Sequence, residues 1–409
     1  MNTLIKQLPN FDKFNNYIGD VNKKVSPIML SGLVDSSKVH LAYATKFYTE
    51  KPICIITYNE MQAKKLIKDL NYFSEDIIFF PKREIATYDY IAESKDLPYE
   101  RINALNKIYE NKAKIIVTTV EAVMQKIVPK EILYKNIIKL KVGDTFNLEE
   151  LKEMLIYLGY ERQDLIENKG QFSIRGGIVD IAISENKGVR IEFWGDEVDS
   201  IRYFNISDQR STEMLDKILI YPAHEFLIDK NLDEISNKIL ERDYKENIKK
   251  YVEDDVSLIR NGDYISKIDK YFNSFYEKSD SFIDYLGKDY LIFLDEIGKI
   301  RARAVNIVKD NEAITKSLIE KDRMIPDSIK NITSYEDIIE TLEKKQIIYL
   351  EKQDIGFVDK QSMHAKRNGY SFSYREVNFF RSSMDLYFQE IQEAIKAKKN
   401  VVVLCRKYK

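Results

Sequence analysis

The sequence predicts an α/β protein: a parallel-sheet domain, interrupted by a small α+β domain of antiparallel strands and followed by a partial α/β domain. Three observations predict this class. Apolar runs of strand length alternate with helical patterns over residues 25–130, which is typical of parallel sheets with crossover helices. Short strands separated by glycine turns follow over residues 170–204, the pattern of an antiparallel meander. A further strand and helix pattern begins near residue 345.

The first part of the parallel-sheet domain is assigned to residues 1–138. Asn59 is predicted to cap the second of its helices, because its side chain can accept a hydrogen bond from the first turn. The predicted strands are Ile28–Leu30, Ile53–Tyr58, Ile77–Phe80 and Ile115–Val117, and the predicted helices are Asn59–Asn71, Glu100–Asn111 and Glu121–Ile127.

Residues 139–228 are predicted to form the separate α+β domain. A helix is expected at Leu148–Leu158, and four short strands follow it. These strands are Gly170–Arg175, Gly177–Ser184, Val189–Trp194 and Val198–Phe204.

Residues 229–344 are predicted to complete the parallel-sheet domain, with a strand at Tyr290–Leu294 and a long helix at Lys299–Lys321. Residues 345–409 are assigned to the start of a third α/β domain. Its predicted elements are a strand at Gln346–Leu350, a helix that includes Met384 and Ile395, and a strand at Val401–Leu404. Because a parallel strand is normally followed by another helix, we expect the chain to be part of a longer protein.

Composition excludes several classes of protein. Lys and Arg (64) nearly balance Asp and Glu (66), so net charge gives no case for a strongly basic nucleic-acid binder. No apolar run approaches the roughly 20 residues of a membrane helix. Cys54 and Cys405 are the only cysteines, which excludes a disulfide framework and a cysteine zinc site. The N-terminus lacks the apolar segment of a secretory signal. We expect a cytoplasmic protein with no bound metal.

Residues Gly32–Val39 directly follow the first predicted strand, where a phosphate-binding loop belongs. The working pattern, GxxxxGK[ST], uses its second glycine to wrap the backbone around phosphates and its final hydroxyl to bind Mg²⁺. Here Ser37 replaces that glycine and Val39 replaces the hydroxyl, whereas Lys38 is kept. The lost magnesium ligand favours a degenerate nucleotide site over an active one. The prediction is therefore that the chain holds no ATP or Mg²⁺ cofactor.

Asp295 and Glu296 stand at the end of the strand predicted at Tyr290–Leu294. In ATPases an acidic pair at this place holds Mg²⁺ through water and orients the attacking water; the alternative is an ordinary surface pair. Together with Gly32 and Lys38, the pair indicates one degenerate RecA-like domain (P-loop NTPase-like) that the meander splits in sequence. The stretch after residue 345 is too short for the second RecA-like domain of a helicase motor, so this chain is predicted not to be an enzyme.

Period-two alternation in the meander predicts one apolar and one polar sheet face. The apolar face is expected to pack on the helix at residues 148–158. The polar face carries Arg175, Asp180, Arg190, Glu192 and Trp194. Arg and Trp dominate the hot spots of protein interfaces, so this face is a candidate partner site. The alternative is a tryptophan half-buried at a domain boundary, with the arginines in ordinary surface ion pairs.

The same region carries a resemblance to a known family. Four segments in order, Leu140–Asp144, Gly170–Ile181, Val189–Glu197 and Tyr221–Phe226, resemble the UvrB-homology module of bacterial transcription-repair coupling factors (Mfd). They are also similar to UvrB, the helicase-like subunit of excision repair. Residues 25–130 and 285–300 resemble the flanking RecA-like domain of both families. The part after residue 345 is similar to the start of the coupling factor's third domain.

Two departures favour the coupling factor over UvrB. UvrB keeps an intact phosphate loop, whereas Gly32–Val39 does not. UvrB also carries a long aromatic hairpin that clamps damaged DNA, and the stretch between Tyr90 and Glu100 is too short for it. The alternative is a UvrB-type ATP-dependent helicase subunit of excision repair, which would need ATP at Lys38.

The resemblance implies a non-catalytic module of transcription-coupled nucleotide excision repair. It implies docking onto UvrA, the damage-recognition ATPase, through Arg175, Arg190 and Trp194. Trp194 stands where the family more often has Phe, and Ser173 stands where UvrB has another Arg. The resemblance also implies that the longer parent is an ATP-dependent DNA translocase that displaces stalled RNA polymerase. RNA polymerase and double-stranded DNA would then be partners of its other domains.

Overall fold

The computed structural model describes residues 2–83, 96–227, 232–242, 244, 246–261, 271–320, 331–353, 369–374, 384–399 and 401–403. The strands are β1 (Ile28–Ser31), β2 (Ile53–Thr57), β3 (Ile77–Phe80), β4 (Ile115–Thr119), β5 (Ile138–Lys141), β6 (Glu161–Arg162), β7 (Gln171–Arg175), β8 (Ile178–Ala182), β9 (Lys187–Trp194), β10 (Glu197–Asn205), β11 (Ser211–Leu215), β12 (Lys217–Ile220), β13 (Leu291–Asp295), β14 (Gln346–Leu350) and β15 (Gly369–Ser371).

The helices alternate with the first strands, and several follow one another in sequence after the meander. They are α1 (Asn2–Gln7), α2 (Asp12–Asn22), α3 (Asp35–Thr49), α4 (Glu60–Leu70), α5 (Asp96–Tyr109), α6 (Val120–Met124), α7 (Lys130–Lys135), α8 (Leu148–Tyr157), α9 (Leu232–Leu240), α10 (Glu246–Asn261), α11 (Phe272–Phe275), α12 (Phe282–Tyr285), α13 (Ile297–Glu320), α14 (Tyr335–Glu343) and α15 (Met384–Lys396). Within the described ranges, no helix combines the length and apolar character needed to cross a membrane.

A seven-stranded parallel sheet confirms the predicted fold class. Its strand order is β15-β1-β14-β13-β2-β4-β3. Strands β1, β2, β4 and β13 are buried at every position, as expected for a sheet covered on both faces. The side chain of Asn59 accepts a hydrogen bond from the Gln62 backbone N–H at 2.8 Å, which confirms the predicted cap of α4.

The structure corrects the placement of the strand predicted at Gln346–Leu350. Strand β14 does not begin a third domain but lies in the middle of the parallel sheet, where Ile348 pairs with Ile28 of β1 and with Phe293 of β13. Strand β15 also pairs with β1. The boundary expected at residue 345 is therefore wrong for these two strands. An apolar run of strand length carries no information about which sheet it joins, because its neighbours are distant in sequence.

Other predictions for the C-terminal region have different outcomes. The helix that includes Met384 and Ile395 is confirmed as α15. Residues 401–403 lie in no strand, and Leu404 lies outside the described residues. The stretch from Tyr88 to residue 95, on which the short-hairpin argument depends, also lies outside them, so that argument stays a prediction.

The second sheet is the predicted meander, with strand order β11-β10-β9-β8-β7-β6. Two-residue turns close two of its hairpins, since Arg175 pairs with Ile178 and Trp194 pairs with Glu197. Gly176 (φ 60°) and Gly195 (φ 63°) take the left-handed conformation that such turns need. The apolar face shares one core cluster with α8; its members include Leu151, Leu155, Phe172, Val179, Val189 and Ile191. This shared burial is what the predicted packing on the helix at residues 148–158 requires.

Candidate functional site

The register of the meander places the predicted polar residues on one surface. Asp180 lies opposite Arg190, and Arg190 lies opposite Arg202 on the next strand. Arg175 and Glu192 both lie opposite Ile178, in the neighbouring row. We call the sheet surface that carries Arg175, Asp180, Arg190, Glu192 and Trp194 the arginine face.

Asp180 lies beneath the arginine face, with a side chain that is only 1% exposed. Its Oδ2 accepts a hydrogen bond from Arg175 Nη2 at 2.7 Å. Arg190 donates from Nε to Oδ1 at 2.6 Å and from Nη2 to Oδ2 at 2.8 Å. A buried carboxylate is stable when charge-assisted hydrogen bonds satisfy it in this way. The carboxylate of Asp180 is therefore an internal anchor of the face and offers a partner no free surface.

The two arginines differ in how much of each side chain reaches solvent. Arg190 is 17% exposed, and its guanidinium lies 4.7 Å from the ring centroid of Phe204. The hydrogen bonds to Asp180 raise the pKa of Arg190 above its ordinary value. Arg175 is 50% exposed. Among the described residues, Arg190 Nη1 and the Nε and Nη1 of Arg175 have no hydrogen-bond partner, so these donors remain for an outside acceptor.

Glu192 forms a second ion pair on the same face. Its carboxylate pairs with Arg202 Nη2 and accepts a hydrogen bond from Ser200 Oγ at 2.9 Å. The hydrogen bond from Arg202 is the main cause that lowers the pKa of Glu192.

Arg202 is absent from the residues predicted for this face, since no face was assigned to the strand predicted at Val198–Phe204, and β10 contains an irregularity that complicates such an assignment. The register shifts between Val198 and Ser200. Simple alternation from Val198 would place Arg202 on the apolar face, whereas the shift turns it to the polar one. The sequence gives no strong signal for a bulge here.

Trp194 is 84% exposed at the end of β9. That exposure contradicts the alternative of a tryptophan half-buried at a domain boundary. A second exposed apolar side chain, Met214 on β11, lies opposite Arg202. The face thus combines guanidinium donors with exposed apolar side chains at its margins, which is the composition of interface hot spots.

The predicted phosphate-site residues also meet, but they form a closed ion cluster. Lys38 is fully buried, and its Nζ donates to Asp295 Oδ1 at 2.6 Å and to Glu296 Oε1. The other oxygen of Asp295 accepts hydrogen bonds from Thr57 Oγ1 at 2.7 Å and from Gln62 Nε2 at 3.2 Å. Burial lowers the pKa of Lys38, but the attraction of the two carboxylates outweighs it and leaves the pKa raised.

The backbone of the degenerate loop is occupied by internal partners. Leu33 N donates to Glu351 O at 3.1 Å, and Val34 N donates to Ser37 Oγ at 2.8 Å. Ser37 N and Lys38 N both donate to Val34 O. A working loop would direct such N–H groups at phosphate oxygens. The serine that replaces the second glycine therefore helps to close the loop on itself.

Residues 369–374 cover the outer side of this loop. Phe372 N donates to Ser31 O at 2.8 Å, and Tyr374 N donates to Gly32 O at 3.2 Å. Gly32 has a φ of 71°, and a Cβ added there would lie 1.8 Å from Phe372 O.

Burial raises the pKa of nearby Glu351 to about 7. Within the described part of the chain, no cluster of three or more His, Cys, Asp or Glu side chains is placed to hold a metal ion.

The arginine face and the segments around it define a domain with a recognisable counterpart. Residues 138–226 match the family model of the UvrB interaction domain.

Similarity to particular proteins extends over almost the whole chain. It is 29% identical to the transcription-repair-coupling factor of Bacillus subtilis (strain 168), over 96% of this chain and 34% of that protein. It is 25% identical to the transcription-repair-coupling factor of Staphylococcus aureus (strain MRSA252), over 99% of this chain and 35% of that protein. The chain thus spans about a third of the length of the curated relatives it matches. These similarities confirm the resemblance predicted from the sequence.

Proposed function

We propose that this chain is the non-catalytic N-terminal part of a transcription-repair coupling factor that recruits UvrA during nucleotide excision repair. The observation that carries the proposal is the arginine face, where donors of Arg175 and Arg190 have no partner in the described part of the chain and Trp194 is exposed. The match of residues 138–226 to the UvrB interaction domain supports it. In our assignment residues 139–228 are the UvrA-interaction domain. A RecA-like part at residues 1–138 precedes it, and a second RecA-like part, which begins at residue 229 and includes β14 and β15, follows it.

The energetics of such a face favour protein recognition. Hydrogen-bonded charges that become desolvated in an interface each cost about 2–5 kcal/mol of binding free energy when truncated. An exposed tryptophan adds a large rigid apolar surface with few rotatable bonds. Arg175 and Trp194 therefore supply most of the affinity, and Glu192 sets the position of neighbouring Arg202.

We assign no nucleotide chemistry to this chain. Lys38 forms buried ion pairs with Asp295 and Glu296. Val39 stands where a magnesium-binding hydroxyl is needed. RNA polymerase and double-stranded DNA are proposed as partners of the longer parent, an ATP-dependent translocase, through its other domains. Its proposed location is the cytoplasm, together with these partners.

Calorimetric titration of this chain with purified UvrA tests the proposal. We expect micromolar or tighter binding by the unaltered chain and a loss of about 100-fold or more in Arg175→Ala/Trp194→Ala, since two hot-spot side chains are truncated. This pair is chosen because Asp180 keeps Arg190 as its partner, whereas loss of both arginines would leave a buried carboxylate unpaired. Arg260→Ala on α10 is the matched control. No binding by the folded, unaltered chain would overturn the proposal.

The second candidate is a UvrB-type ATP-dependent subunit, and the retained Asp295–Glu296 pair is the observation that favours it. It requires nucleotide to displace the two carboxylates from Lys38. Magnesium-dependent binding of ATP at millimolar concentration, abolished in Lys38→Met, would support this candidate against the recruitment module.

A further inference from the structure

Asp180 joins the two arginines on which the proposed recruitment of UvrA depends. Its two oxygens accept three hydrogen bonds at 2.6–2.8 Å, two of them from Arg190 and one from Arg175. Both guanidiniums therefore converge on one buried carboxylate. Two cations held so close would repel each other without an anion between them.

The contact with Arg190 fixes the plane of its guanidinium. Nε and Nη2 are both engaged by Asp180, which is the two-point geometry that a planar guanidinium favours. The ring of Phe204 lies against the guanidinium at 4.7 Å, and Phe204 belongs to a buried cluster with Ile166, Ala182 and Ile206. Only Nη1 is left without a partner among the described residues, so the direction of that donor is set before any partner arrives.

We propose that Asp180 is a positioning residue: it does not touch the partner, but it holds Arg175 and Arg190 in the geometry that binds. The inference rests on the proposed function and adds the chemistry of the partner's surface. Counted with Arg202, three arginines against the carboxylates of Asp180 and Glu192 leave an excess positive charge on this surface. The acceptors that fit it are carboxylates of an acidic protein surface, within reach of an apolar patch that receives Trp194.

The positioning has a measurable consequence for affinity. Ordering a long side chain on binding weakens the affinity by a factor of about 2 to 12 for each side chain. Asp180 orders two arginines in advance, so its removal should weaken binding by about tenfold or more. Asp180→Asn keeps the size of the side chain and one acceptor oxygen but removes the charge, and its amide group faces an arginine donor.

The test measures UvrA binding together with the arginine side chains. In Asp180→Asn, we expect about tenfold or greater loss of affinity by a sample with an unchanged circular dichroism spectrum. We also expect faster solvent exchange of the Arg190 Nε–H proton in NMR spectra. Glu149→Gln on α8, which removes one partner of the exposed ion pair with Lys152, is the matched control with an expected loss below about twofold.

A second variant keeps the inference testable if Asp180→Asn fails to fold. Arg190→Lys retains the charge but cannot form the two-point contact, so about tenfold weaker binding is expected. Wild-type affinity in folded Asp180→Asn or in Arg190→Lys would overturn the positioning role and leave the proposed function standing. Failure of the unaltered chain to bind UvrA would overturn the proposed function and this inference with it.

Discussion

Two clusters of charged residues in this protein use the same chemistry in opposite proportions. At the degenerate loop, one fully buried cation, Lys38, donates to two carboxylates, Asp295 and Glu296, and a third carboxylate, Asp35, lies 4.0 Å away. On the arginine face, one carboxylate, Asp180, lies between Arg175 and Arg190, and donors remain on the outside. The comparison teaches that burial and the ratio of charges decide whether an ion cluster closes a structure or offers a binding surface.

The largest effect is expected from breaking the closed cluster. Lys38→Met keeps most of the side-chain volume but leaves two carboxylates without their buried cation. Loss of one partner from a buried ion pair costs about 3–5 kcal/mol, so the free energy of unfolding in urea should fall by about that amount. UvrA binding by the folded variant should be unchanged. A stability close to that of the unaltered chain would show that the cluster is not a structural element.

Phe193 and Trp194 are neighbours on opposite faces of the meander, so substituting each separates the effect of a buried residue from that of an exposed one. Phe193 is buried in the core, and Trp194 is exposed. Phe193→Ala should lower the free energy of unfolding by about 3–5 kcal/mol, as is usual for loss of a large core side chain. Trp194→Ala should change it by less than about 0.5 kcal/mol while weakening UvrA binding. If denaturation and calorimetry give equal stability losses for both variants, the proposed exposure of Trp194 is wrong.

A smaller effect should appear in the pH dependence of stability near the closed loop. The pKa of Glu351 is raised from 4.5 to about 7, so the folded state holds its proton more tightly than the unfolded state. Its contribution to stability is therefore fully present below about pH 4.5 and is lost as the pH rises through about 7. Glu351→Gln keeps an oxygen for the Ile297 N–H and removes the titration. Between pH 5 and 7 the unfolding free energy of the variant should fall less steeply with pH than that of the unaltered chain. The two slopes should differ by up to about 1.4 kcal/mol per pH unit.

The buried His224 also titrates in the folded protein, and comparing the two proteins removes its effect. Burial lowers the pKa of His224 from 6.5 to about 4, so its contribution to stability is lost as the pH falls below about 6.5. Because His224 is present in both proteins, the difference between Glu351→Gln and the unaltered chain isolates Glu351. An identical pH profile for the two proteins would contradict the raised pKa.

The smallest expected effect is that of nucleotide. A site that binds with micromolar affinity would be stabilised by about 4 kcal/mol at a thousandfold excess of ligand. Since the Lys38 side chain and the N–H groups of Leu33, Val34, Ser37 and Lys38 already have internal partners, millimolar Mg-ATP should leave the thermal unfolding midpoint unchanged. A rise of several degrees would reopen the UvrB-type alternative.

Much of the fold was predictable because its signals are local. The apolar runs gave β1, β2, β3, β4 and β13 nearly within their observed bounds, and Asn59 marked a helix start. Alternation in the meander brought Arg175, Asp180, Arg190 and Glu192 onto one face. Arg202 was assigned to no face, and alternation counted from Val198 would have placed it on the apolar one, because a register shift in β10 reverses the alternation.

By itself, the sequence determined most of the residues that form the two charged clusters. Lys38, in the loop that begins at Gly32, and the Asp295–Glu296 pair stand after predicted strands, and Arg175 and Arg190 follow the alternation along theirs. Tertiary structure alone decided that β14 joins β1 to β13. It also decided that Lys38 turns inward and that Asp180 lies beneath its arginines. The physical reason is that strand neighbours and burial depend on contacts between residues far apart in the chain, which local periodicity does not encode.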